Sequence, residues 1–85
     1  MLLLKFGMIG LLVVVYDKLS KMYSAPVLTE NENTAKRWFA SVVRVKGDDA
    51  SDYELYSVGD FDTSEGKILN NRLDLVQKGV DYIEK

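Results

Sequence analysis

Residues 29–47 read TENENTAKRWFASVVRVKG, and this stretch sets the expectation for the fold. Ala35, Trp38, Phe39, Val42 and Val43 recur at i, i+3, i+4, i+7 and i+8, the spacing of one apolar helix stripe. Lys36, Arg37, Ser41 and Arg44 fall on the remaining faces. Thr29 with Glu32 has the form of a capping box, the hydroxyl accepting from the Glu32 amide while the carboxylate reaches back. Arg44 and Lys46 suit the negative end of the helix dipole, and Gly47 suits the position just past it. The pattern predicts an amphipathic helix over about 30–45.

Downstream, Asp48 to Asp52 form an acidic turn, and Tyr53-Glu54-Leu55-Tyr56-Ser57-Val58 has the aromatic and branched content of a strand running towards Phe61. Asp62-Thr63-Ser64-Glu65-Gly66 has hairpin-loop chemistry, and Lys67-Ile68-Leu69 returns as a strand. In the tail, Leu73, Val76 and Val80 suit one side of a short helix that Gly79 weakens. Upstream, Leu11 to Tyr16 reads as a buried Val-rich strand bounded by Gly10, and Pro26 marks a crossing segment before the helix. These pieces predict an α+β domain: one amphipathic helix packed on a small antiparallel or mixed sheet of three to four strands. Residues 1–10 are set apart as an apolar leader or N-terminal extension, and residues 11–85 as a single domain. Lys5 interrupts an apolar run already too short to span a bilayer, and no small-x-small cleavage pattern follows promptly, so membrane attachment is disfavoured.

Composition narrows the chemistry. The 85 residues include no His and no Cys, which removes the commonest general base, the strongest neutral-pH nucleophile and the best zinc ligands. No disulfide can brace the chain, so self-association into a homo-oligomer is expected to add stability. Residues 1–46 carry seven Lys and Arg against three acids, whereas residues 47–85 carry four against ten, within a net charge of −2. Such asymmetry fits a basic face for a polyanion, head-to-tail pairing of protomers, or halves that simply interleave.

Asp60-x-Asp62-x-Ser64 starts like a calcium loop, but the sixth position is Glu65 and the twelfth Asn71, where the motif needs Gly and Glu. No Gly-rich phosphate loop exists, and paired carboxylates in a polar turn have no cleft to separate their pKa values. Catalytic, cofactor and metal sites are therefore not expected. The best functional patch is the polar helix face, Lys36, Arg37 and Arg44, extended by Lys46, as candidate nucleic-acid contacts. Tyr16, Tyr23, Tyr53 and Tyr56 are candidates for stacking on unpaired bases.

Three blocks carry a resemblance: Val13-Val14-Val15-Tyr16-Asp17 through Ser24-Ala25-Pro26; Asn33-Thr34-Ala35-Lys36-Arg37-Trp38-Phe39, with its Ala-x-Arg-x-Phe pattern; and Asp52-Tyr53-Glu54-Leu55-Tyr56-Ser57-Val58-Gly59-Asp60-Phe61-Asp62 with Gly66 beyond. Together they resemble the small nonstructural protein of gokushoviruses, single-stranded DNA phages of the microvirus group. The resemblance covers roughly residues 13–69, and Met1 to Leu12 stands ahead of it as an extension. It implies a nonenzymatic accessory protein of the host bacterial cytoplasm that assists viral DNA replication or packaging. The implied partners are single-stranded DNA, phage replication proteins or capsid-assembly proteins, and no catalytic residue is carried over. Two other readings stay open: an oligomeric protein–protein interaction module, and a small protein held at a membrane by its apolar N-terminus.

Overall fold

A computed structural model describes residues 7–82, with the backbone alone at 46–48 and 81–82. Six strands and one α-helix occur among these residues: β1 (Ile9–Asp17), β2 (Met22–Tyr23), β3 (Val27–Thr29), α1 (Glu32–Lys46), β4 (Tyr53–Asp62), β5 (Lys67–Leu69) and β6 (Asp74–Lys78). Short 3₁₀ turns at Gly47–Asp52 and Gly79–Tyr82 follow α1 and β6.

Two long strands form the centre. β1 and β4 pair antiparallel along their whole length, from Ile9 opposite Asp62 to Asp17 opposite Tyr53. Each outer edge is shared by two short strands. β3 pairs with the first half of β1 and β2 with its end, while β6 pairs with the first half of β4 and β5 with its end. The breaks have local causes. Pro26 has no amide to donate between β2 and β3. There Ser24 stands in for a strand residue, its amide donating to the Val15 carbonyl at 2.8 Å and its hydroxyl accepting from the Val15 amide at 2.9 Å. Between β5 and β6, Asn70 takes a positive φ of 54° and turns the chain.

β1 is paired along both edges and its residues 10–16 are buried or half-buried, which fits its unbroken apolar run. Val13 and Val15 point to the helix side, and Val14, 4% exposed, to the other. The core joins Val13, Val15 and Leu55 of the sheet to Ala35, Phe39 and Val43 of α1 and to Ala50. Full burial of a side chain the size of Phe39 contributes about 1.5–3 kcal/mol. Trp38 packs half-buried against this core.

Three expectations need correction. The fold is not one helix on a sheet of three to four strands: sheet dominates, with six antiparallel strands curled into a half-barrel and a single helix. Broken edges supply the extra strands. Register shifts at Leu12/Val13 and Leu55/Tyr56 mark bulges, which bend strands and increase twist. The expected helix in the tail is also absent, since Asp74–Lys78 form β6. Nor is there a Thr29–Glu32 capping box. Asn31 caps α1, its Oδ1 accepting from the Thr34 amide at 2.9 Å, while the buried Thr29 hydroxyl donates to the Leu11 carbonyl at 3.0 Å.

Of the expected leader, residues 1–6 lie outside the described residues, and β1 starts at Ile9. Met8 is tied to the β4–β5 hairpin through Thr63, whose amide donates to the Met8 carbonyl at 3.0 Å. Among the described residues no helix is long and apolar enough to cross a membrane.

Candidate nucleic-acid interface

The helix that buries Ala35, Phe39 and Val43 necessarily turns its opposite side outwards. Arg37 and Arg44, seven residues apart, fall on one exposed stripe with Ser41 between them, its hydroxyl donating to the Arg37 carbonyl at 3.3 Å. Neither guanidinium enters an ion pair among the described residues. Lys36 differs. Its Nζ lies 3.2 Å from Glu32 Oε1, one turn back, so its charge is partly countered. Lys46 closes the helix, and its side chain lies outside what is described. Of the four predicted contacts, the described structure leaves Arg37 and Arg44 as the free cations.

The tyrosines divide by strand parity. Tyr53 and Tyr56 are three apart on β4 and so point to opposite faces. Tyr53 packs against the helix-side core. Tyr56 joins Tyr16 of β1 and Tyr23 of β2 on the other face. The Tyr16 and Tyr23 rings sit 4.5 Å apart, and Tyr56 stands edge-on to both at 6.2 and 6.1 Å. Register explains the meeting, because Tyr16 lies opposite Tyr23 while Val14 lies opposite Tyr56. The Tyr56 hydroxyl donates to Glu54 Oε1 at 2.9 Å, and that bond, with burial, raises its pKa above the ordinary tyrosine value. The sheet thus separates the cationic stripe from the three rings; they do not form one continuous patch.

The acidic residues of the hairpin are committed elsewhere. Asp62 Oδ1 accepts from the amides of Ser64 and Glu65 at 2.8 and 3.2 Å and shapes the turn, with Gly66 at φ 66°. Asp60 faces Arg72, a residue that no sequence motif marks. Arg72 Nη2 donates to Asp60 Oδ1 at 2.9 Å and Nη1 to Oδ2 at 3.3 Å, while Nε reaches Ser57 Oγ at 3.1 Å and Nη1 the Asn70 carbonyl at 2.9 Å. Asn70 also donates to Asp60 at 2.9 Å. Hydrogen bonds from Arg72 and Asn70 hold the Asp60 carboxyl below the usual carboxylate range, and Asp60 raises Arg72 in turn. This clamp fixes the β5–β6 connection to β4. Among the described residues no three His, Cys, Asp or Glu side chains gather in positions that would hold a metal.

Residues 11–82 match the family described as Phage ORF5 protein. The chain belongs to this family. It is therefore a bacteriophage protein, and the match takes in every element from β1 residue Leu11 to the last 3₁₀ turn. The ORF5 match includes α1 with its arginine stripe, the three clustered tyrosines and the Asp60–Arg72 clamp. No match was found among curated proteins, and none among solved structures.

Proposed function

We propose that this ORF5 family member is a nonenzymatic accessory protein of a gokushovirus-like single-stranded DNA phage, acting in the host cytoplasm by contacting DNA during genome replication or packaging. The observation that carries the reading is the exposed stripe of Arg37 and Arg44, two guanidinium groups on one helix face with no acidic partner in bonding range among the described residues. Guanidinium groups suit phosphate oxygens through their planar donor fork. The gokushovirus resemblance supports the same reading, since its three blocks all lie within the matched residues. The test is anisotropy of a labelled oligothymidylate with the full chain at low and moderate salt. Binding is expected to weaken with salt, and Arg37→Glu with Arg44→Glu to flatten the log–log slope by about 0.7 for each phosphate no longer neutralised. No affinity at low salt overturns DNA binding.

A homo-oligomer is a second reading, favoured by Ile68 and Leu75, 58% and 47% exposed on the sheet face that α1 does not cover. A monomeric mass by light scattering at high concentration would count against it.

A further inference from the structure

The sheet face turned away from α1 holds a feature the arginine stripe does not use. We propose that Tyr16, Tyr23 and Tyr56 form a stacking site for the unpaired bases of a single-stranded nucleic acid, an inference that rests on the DNA-contacting reading and locates the base-contacting surface.

Three observations support it. First, the rings meet in a single cluster, with Tyr23 45% exposed on a two-residue edge strand and so accessible to a flat ligand. Stacking on such rings tolerates any base sequence, because every base has a π-face. Second, the site is held in place. The Tyr56 hydroxyl is fixed by Glu54, and β2 is held by its pairing with the end of β1 and by the turn before it, where Asp17 Oδ1 accepts from the Leu19 amide at 2.9 Å. A ring locked before binding loses little freedom when a base docks.

Third, the surroundings favour a polyanion. Lys18 and Lys21 are exposed in the turn joining β1 to β2, and Lys78 sits on β6 opposite Glu54. None of the three is in an ion pair among the described residues. The nearby acids, Asp17 and Glu54, accept from the Leu19 amide and the Tyr56 hydroxyl and keep their charge, so three cations stand against two carboxylates around the rings. Cations around clustered rings are the combination that single strands use, phosphates on the rim and bases on the platform.

The test uses the full chain and three probes of equal length: oligothymidylate, the same backbone without bases, and duplex DNA. Wild type is expected to prefer the oligothymidylate over both others. Tyr23→Leu, which keeps an apolar side chain on an exposed edge, is expected to lose roughly five- to a hundredfold in affinity for oligothymidylate and little for the abasic strand. Tyr23→Phe, which keeps the ring, should retain binding, and unchanged thermal midpoints show that all variants fold. Equal affinity of wild type for abasic and thymidylate strands overturns the stacking site. So does a Tyr23→Leu variant that binds like wild type, or one that only dissociates an oligomer in light scattering. If affinity then falls solely with Arg37→Glu and Arg44→Glu, the helix stripe stands alone. If only the tyrosine variant weakens binding, the stacking site stands and the stripe is dismissed; no binding by wild type removes both.

Discussion

Replacing Arg72 with Met tests the polar clamp that ties the β5–β6 connection to β4. The substitution keeps the aliphatic stem but removes two bonds to Asp60, one to Ser57 and one to the Asn70 carbonyl. The Arg72 and Asp60 side chains are 26% and 22% exposed, so the pair is partly buried. Breaking a fully buried pair costs about 3–5 kcal/mol and an exposed one about 0–1, so about 2 kcal/mol is expected here. For a domain of this size that lowers the thermal midpoint by roughly 8–16 °C. Thermal and urea unfolding, followed by circular dichroism and Trp38 fluorescence, measure it. The pH dependence is a sharper check. Because Asp60 has a folded pKa below its unfolded value, its contribution is fully present above the unfolded value of about 3.9 and fades as pH falls through the lower folded one. The gap between wild type and Arg72→Met should therefore be constant near neutrality and close in acid below that value. An Asp60→Asn, Arg72→Met double variant should show less than the sum of the single effects. Equal midpoints at neutral pH, or a gap unchanged down into strong acid, would overturn the assignment of this clamp.

Other substitutions probe the remaining joints of the fold. Asn31→Ala should cost about 1 kcal/mol in urea unfolding by removing the helix cap, whereas Glu32→Gln should cost far less, since no capping box exists. Gly79→Ala should destabilise by roughly 1–3 kcal/mol, because a Cβ there would run into the Ala50 carbonyl and approach the Tyr53 carbonyl at 2.7 Å. Phe39→Ala, at the fully buried centre, should cost about 3–5 kcal/mol and leave little cooperative unfolding to measure.

Local pattern made part of this protein legible. The i, i+4, i+8 series of Ala35, Phe39 and Val43 defines a helix and its buried side without any tertiary information, because helical geometry alone brings those residues to one face. That same geometry places Arg37 and Arg44 together on the outward side. The Val-rich run of β1 and the Gly66 turn were equally readable. Strand parity would also have separated Tyr53 from Tyr56, since residues three apart on one strand face opposite ways.

Contacts between distant segments decided the rest. Thr29 and Asn31 are both good capping residues, and only the approach of the Leu11 carbonyl, which takes the Thr29 hydroxyl, leaves the cap to Asn31. The tail has apolar spacing compatible with a helix, yet the free edge of β4 offers it backbone partners that a short isolated helix would lack. Arg72 and Asp60 are twelve positions apart, and Tyr16 and Tyr56 meet only because β1 and β4 pair in one register. Helix periodicity is a property of neighbours along the chain, so composition and spacing suffice to reveal it. Sheet edges, ion-pair partners and ring clusters depend on which remote strands meet, and that is settled only when the whole core closes.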